Sequence, residues 1–248
     1  MIDPRDYEAP PNALSGRTVF VTGATRGIGR AVAVALVVHG ATVILHGRDA
    51  RALDSLYEEL RKLGPEPAVA QLDLERAQGD EYQHLTEQLA ARYGRLDGLL
   101  HNAAILGDRS PIDHYDIGLW QRVMHVNVNA PFILTRCFLP LLRESPDASV
   151  LFTTSGVGNR GRAFWGAYAA SKFALEGLSQ VLADEVEKTN IRVNCINPGR
   201  TRTRMRARAY PAENPQTLPP PESLVAAYLF LLGPDGHGVT GQRIDCQV

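Results

Sequence analysis

The 248-residue chain is short of several things at once. It has almost no net charge, with 26 Lys and Arg against 27 Asp and Glu. Without a charge excess there is no footprint for wholesale binding to nucleic acid or an anionic membrane, and neither partner is expected. It has no long apolar stretch. The longest aliphatic run, Ala31 to Val38, falls far below the ~20 residues that span a bilayer. The N-terminus reads MIDPRDYEAPPNALSG and lacks a basic stretch followed by an apolar one. No signal peptide is expected. Cysteine is scarce too: Cys137, Cys195 and Cys246 are scattered, with no CxxC. That pattern argues against a disulfide framework or a metal site, and for reduced thiols in a cytoplasmic protein. Repeats and low-complexity linkers are also missing. What is there has 44% hydrophobic and 21% charged residues, close to the globular average, and this excludes disorder.

Short β-branched runs alternate with longer helical patterns. Strands are expected at 18–23, 41–47, 68–74, 96–104, 149–155 and 191–199. Helices are expected at 27–40, 51–64, 81–94, 118–142, 166–189 and 222–232, the last preceding GQRIDCQ. Gly40 and Gly64 are read as helix C-caps and Asp49 as an N-cap. The alternation implies βαβ units, hence an α/β fold with a doubly wound parallel sheet.

The first strand runs into Thr22-Gly23-Ala24-Thr25-Arg26-Gly27-Ile28-Gly29, a GxxxGxG spacing. Small residues here let the backbone turn tightly and approach a pyrophosphate at a helix N-terminus. The plain alternative is a glycine turn; the position between strand and amphipathic helix favours dinucleotide binding. Charge selects the dinucleotide. An acid ending the second strand suits NAD, and a cation suits the 2′-phosphate of NADP. This strand ends His46-Gly47-Arg48, and Arg26 adds a second cation. NADP(H) is favoured over NAD(H), with Asp49 read as a cap beyond the strand end.

Tyr168 and Lys172 stand four residues apart at the start of a helix, on one face. A tyrosine titrates near 10, so proton transfer near neutrality needs neighbouring positive charge. The pair alone is weak evidence. It is accompanied by Ser155 at the end of the fifth strand, Asn102 at the end of the fourth, and Asn127 in Val126-Asn127-Val128. The strand ends lie on the carboxyl side of a parallel sheet, where such folds bind ligands.

With these residues in view, the chain resembles the short-chain dehydrogenase/reductase family, in its ~250-residue branch. TGATRGIG (22–29), LDL (72–74), HNAA (101–104), VNV (126–128), Ser155, YAASK (168–172) and NPGRTRT (197–203) carry the resemblance. Within the family, LHNAAILGD, WGAYAASKFALEG and RVNCINPGRTRT look most like the bacterial YciK-type oxidoreductases. The resemblance implies a single Rossmann-fold domain at 16–248 behind an N-terminal extension at 1–15. It implies Tyr168 as general acid/base, Lys172 on the nicotinamide ribose and lowering the tyrosine pKa, and Ser155 polarising the carbonyl. Asn127 would hold a water that links Lys172 to solvent. Gly23, Thr25, Arg26, Gly27, Ile28, Gly29 and Arg48 would surround the cofactor phosphates and ribose. Asp73 and Leu74 would lie by the adenine and Asn102 beside the cofactor, while Pro198, Gly199 and Thr203 would close on the carboxamide.

Two departures stand out. Ala104 replaces the glycine of the usual NNAG, and the usual Asp-Gly-Gly near the end is absent. Five alternating arginines, Arg200 to Arg208, follow the Pro-Gly; they suit an anionic substrate, or else pair with acids on the protein. The expected function is NADP(H)-dependent interconversion of a small-molecule carbonyl and an alcohol by a homodimer or homotetramer. The competing reading is a dinucleotide sensor or scaffold without turnover.

Overall fold

The β-branched runs of the sequence become short strands, most of them buried on both faces while the one at 68–71 alternates buried and exposed, and helices cover them. The computed structural model describes residues 3–247. Strands β1 (Thr18–Thr22), β2 (Thr42–Gly47), β3 (Ala68–Gln71), β4 (Gly98–His101), β5 (Ala148–Thr153), β6 (Ile191–Asn197) and β7 (Arg243–Asp245) form one sheet in the order β3-β2-β1-β4-β5-β6-β7. All pairs are parallel. The order reverses between β1 and β4, which opens a crevice at their carboxyl ends.

Helices α1 (Gly27–Val38), α2 (Ala50–Leu60) and α8 (Val225–Leu232) cover one face. Helices α3 (Gly79–Tyr93), α4 (Ile117–Met124), α5 (Ala130–Arg143) and α6 (Gly166–Glu185) cover the other; the short α7 (Arg204–Ala209) lies beyond the sheet edge. The period-2 rule of strands is visible in β1. Phe20 packs with Tyr82, Phe138 and Leu182 on the α3/α5/α6 side. Val19 and Val21 pack with Leu36, Leu53 and Tyr228 on the other. Tyr7 and Leu14, ahead of β1, belong to that second core, and the Tyr7 hydroxyl donates to Asp235 Oδ2 at 2.6 Å.

Several boundaries differ from the sequence reading. The 118–142 helix is broken by a π turn at His125–Asn129. The third strand stops at Gln71, because Arg76 and Ala77 turn back onto the Asp73 carbonyl. The 166–189 helix ends at Glu185 and the 222–232 helix begins as a 3-10 turn at Pro221–Leu224. Strand β7 and helix α7 were not anticipated, each being too short for a periodic signal.

The two glycines read as caps behave differently. Gly40, at φ +93°, closes α1: its N–H bonds the Val37 carbonyl and the next N–H, of Ala41, bonds the Leu36 carbonyl. Gly64 is no cap, since α2 ends at Leu60. It is small because a Cβ there would lie 2.3 Å from the Val37 carbonyl oxygen of α1. Gly64→Ala should therefore lower stability by about 1–3 kcal/mol through overpacking. At about 2–4 °C per kcal/mol for a chain of this size, a thermal melt would register it.

Candidate active site and cofactor cradle

The loop after β1 is shaped by backbone that only glycine accepts easily. Gly23 and Gly27 sit at φ +65° and +55°. At Gly29 a Cβ would lie 2.3 Å from the Gly23 carbonyl oxygen and 2.5 Å from Asn102 Nδ2. The first turn of α1 is thus pressed onto the loop. Arg26 is its N-cap and makes no side-chain cap bond, so no side chain takes the first-turn amides in that role. Asn102 braces the loop from β4: its Nδ2 donates to the carbonyls of Thr22 (3.2 Å) and Gly23 (3.4 Å). Thr22 Oγ1 accepts from the amides of Asn102 (2.9 Å) and Ala103 (3.0 Å).

The residues around this loop fit a dinucleotide. Thr25 and Ile28 are half-buried beside the glycines, and Arg26 and Arg48 are exposed at the loop and the end of β2. Arg48 has only a long contact, 3.9 Å, with Glu75. Asp49 takes the amide of Ala52 at 3.1 Å and is a helix cap. Asp73 lies just past β3, accepting from the Glu75 amide at 3.1 Å, with Leu74 buried next to it. Among the described residues no group of three or more His, Cys, Asp and Glu side chains gathers as metal ligands.

Tyr168 and Lys172 project from the first turns of α6 toward the ends of β5. The Lys172 ammonium donates to the Thr153 carbonyl at 2.7 Å and lies 5.5 Å from the centre of the Tyr168 ring. Burial pushes the Tyr168 phenol up to about 12, with the Ser155 hydroxyl opposing it. Burial pulls the Lys172 ammonium down to about 8, against the attraction of Cys195 and Glu176. The chain's own groups therefore leave the tyrosine above its ordinary value. The depression expected from Lys172 is not met by the protein alone, and a further positive charge would have to supply it.

Asn127 sits inside the π turn, fully buried. Its Oδ1 accepts from the Ile105 amide at 2.9 Å, and its Nδ2 donates to the Ile105 carbonyl (2.9 Å) and to Ser171 Oγ (3.0 Å). Ser171 in turn donates to the Tyr168 carbonyl at 2.8 Å. The side chain is thus fully engaged as a brace. Pro131 has no N–H, so the usual bond to the Asn127 carbonyl from four residues on is not made.

Pro198 is buried and Gly199 turns at φ +72°. Gln247 holds this loop, its Nε2 donating to the carbonyls of Pro198 (2.7 Å) and Arg200 (3.2 Å). Thr203 caps α7, accepting from the Arg206 amide at 3.1 Å. Ala209 of α7, with Leu106, Val157, Trp165 and Ala169, forms an apolar cluster around Tyr168. A cavity of about 460 Å³ separates the 106–110 loop from the end of α7.

The arginine run is mostly occupied. Arg206 pairs with Glu213 at 2.6 Å, Arg208 with Asp108 at 2.9 Å, and Arg202 donates to Gln216 at 3.2 Å. Sequence reasoning missed Arg109, which donates to the Ala209 carbonyl at 2.6 Å and lies 5.0 Å from the Trp165 ring and 5.1 Å from Tyr210. Nothing in its local pattern marks it. Glu176 was missed as well, though it follows Lys172 by one helical turn. Behind the site, His101 stacks on Phe152 at 4.7 Å and meets Thr135 Oγ1 at 2.9 Å. Burial holds it and His46 neutral, near 3 and 4 respectively.

Residues 17–214 match the short chain dehydrogenase family, and the chain belongs to it. It is a short-chain dehydrogenase/reductase with the fold that family implies. Among relatives, it is 48% identical over 242 residues to the uncharacterized oxidoreductase YciK of Escherichia coli, covering 97% of this chain and 96% of that one. A short chain dehydrogenase from Pseudomonas syringae superposes with TM-score 0.96 at 52% identity, covering 98% of this chain and 99% of that one. One from Escherichia coli complexed with NADPH does so with TM-score 0.94 at 48% identity, covering 96% and 100%.

Proposed function

We propose that the protein is an NADP(H)-dependent oxidoreductase that interconverts a carbonyl and an alcohol, with Tyr168 as the general acid/base. One observation carries the reading: Tyr168, Lys172 and Ser155 converge at the carboxyl edge of the sheet that also presents the glycine cradle. A nicotinamide cofactor held in the glycine cradle would supply or accept the hydride. In the reducing direction Ser155 orients the carbonyl oxygen. The Tyr168 phenol, protonated at neutral pH, gives its proton to that oxygen. Lys172, held by the Thr153 carbonyl, would have its remaining donors for a nicotinamide ribose. A water on the Asn127 carbonyl links Lys172 to solvent and returns the proton. In the oxidising direction the phenol must first lose its proton, which adjacent positive charge favours.

NADP(H) over NAD(H) is supported by Arg26 and Arg48, both exposed at the cradle, and by the NADPH held in the similar Escherichia coli structure. The substrate is a small molecule whose carbonyl reaches Tyr168 through the apolar cluster. An anionic group on it would meet Arg109 rather than Arg206 or Arg208, which are already paired. The sensor reading is disfavoured, since binding alone does not need a buried tyrosine beside a lysine. The protein works in the cytoplasm as a homodimer or homotetramer. Phe132, Phe173 and Val181 of α5 and α6 are about half exposed, which supports an interface there.

Tyr168→Phe should lower turnover about 10²–10⁴-fold, the usual contribution of a positioned acid/base, while NADPH binding survives. Activity retained in a ketone and aldehyde screen would refute the mechanism. Fluorescence titration should show NADPH bound more tightly than NADH, and Arg48→Ala should cost NADPH about tenfold while sparing NADH. Light scattering at micromolar concentration should give a dimer or tetramer, and a monomer would refute the interface.

A further inference from the structure

Three consecutive residues at the end of β5 meet three successive turns of α6. Ser155 acts on Tyr168, the Thr153 carbonyl holds Lys172, and Thr154 Oγ1 donates to Glu176 Oε1 at 2.6 Å. The third contact has no part in the chemistry above. Glu176 is largely buried, its side chain 13% exposed, and Arg243 of β7 also donates to it, at 3.0 Å. The carboxylate and the stem of Lys172 border the same small space. A Cβ on Gly158 would lie 2.9 Å from Glu176 Oε1 and 3.0 Å from Lys172 Cβ.

We propose that Glu176 is a positioning residue: pinned by Thr154 and Arg243, it keeps a negative charge one helical turn from the Lys172 ammonium and fixes that turn of α6 against β5. This rests on Lys172 belonging to the catalytic set.

The surroundings of Lys172 single out this carboxylate. Tyr168 on the same helix is protonated at neutral pH. Cys195 of β6 is buried, its thiol pushed up to about 11 and thus uncharged. His101 of β4 is held neutral by burial. Arg243 of β7 is cationic and is spent on Glu176 and Asp245. Glu176 is the remaining acid acting on the ammonium, and it favours the charged form that burial disfavours.

The sequence has three lysines, Lys62, Lys172 and Lys188, and only Lys172 is buried. Its amine can therefore be titrated by NMR in lysine-labelled protein, without substrate or turnover. In Glu176→Gln the Lys172 midpoint should fall by about one pH unit, and Glu176→Asp should recover most of that fall. A merely structural role predicts the opposite sign, because looser packing relieves burial and moves the midpoint up toward the ordinary 10.5. A rise, or no change, overturns the proposal. Should Glu176→Gln fail to fold, Thr154→Val serves. With one of its two pins lost and Arg243 still holding it, the carboxylate loosens, and the midpoint falls in the same direction by less than in Glu176→Gln; a rise or no change again overturns it. A lowered midpoint without any carbonyl turnover in native protein would uphold this proposal and count against the proposed function.

Discussion

The site depends on how helix α6 is held against the end of β5. A lysine buried this deeply keeps its charge only at an energetic cost, and the Thr153 carbonyl, 2.7 Å away, is the contact that makes its place tolerable. Because that acceptor belongs to the sheet backbone, the ammonium cannot drift without breaking a strand end. The neighbouring contacts of Thr154 and Ser155 then set the rotation of the helix, and with it the direction of the Tyr168 phenol. From the opposite side Asn127 and Ser171 tie the π turn to the Tyr168 carbonyl. A wide turn inside an otherwise regular helix is costly, and such turns are often found at functional sites. Here it lets one asparagine reach both the Ile105 backbone and α6.

The cofactor side follows a different rule, that of space. Gly29 brings α1 so close to the loop after β1 that a side chain is excluded, and Gly23 does the same against the end of β4. The braces there come from Thr22 and Asn102, residues that bond backbone to backbone without filling the crevice. Helix α7 stands over Tyr168: Ala209 joins the apolar cluster with Leu106 around it, and Arg109 to the Ala209 carbonyl and Arg208 to Asp108 add polar contacts.

Sequence periodicity carried six of the seven strands, because parallel strands buried on both faces read as continuous β-branched runs. The glycine loop and the Tyr168–Lys172 pair were legible because spacing alone places them, the glycines at a strand-to-helix turn and the pair on one helix face. Contacts made across the sheet were not. Gln247 reaches the Pro198 carbonyl from a point 49 residues away, and Arg243 reaches Glu176 across 67. The arginine run left two readings open, an anionic substrate or pairing with acids on the protein, and Arg206 and Arg208 follow the second, each with an acid placed by folding. Asn127 was located, but its side-chain partners, the Ile105 backbone and Ser171, were not legible. Gly64 looked like a helix terminator and is instead the point where the turn after α2 presses on α1.

The histidine that opens HNAA has a thermodynamic consequence. His101 and His46 remain neutral in the folded protein until the pH falls to about 3 and about 4, whereas in an unfolded chain each takes up a proton near 6.5. The unfolded state therefore binds more protons than the native one throughout the interval between those values. Stability contributed by the two rings is complete above that interval and declines as the solution is acidified through it. Both rings lie beneath the strand ends that carry the cofactor cradle. Mild acid thus acts on the protein from inside the sheet, by proton uptake linked to opening of the core, before the surface carboxylates lose their charge.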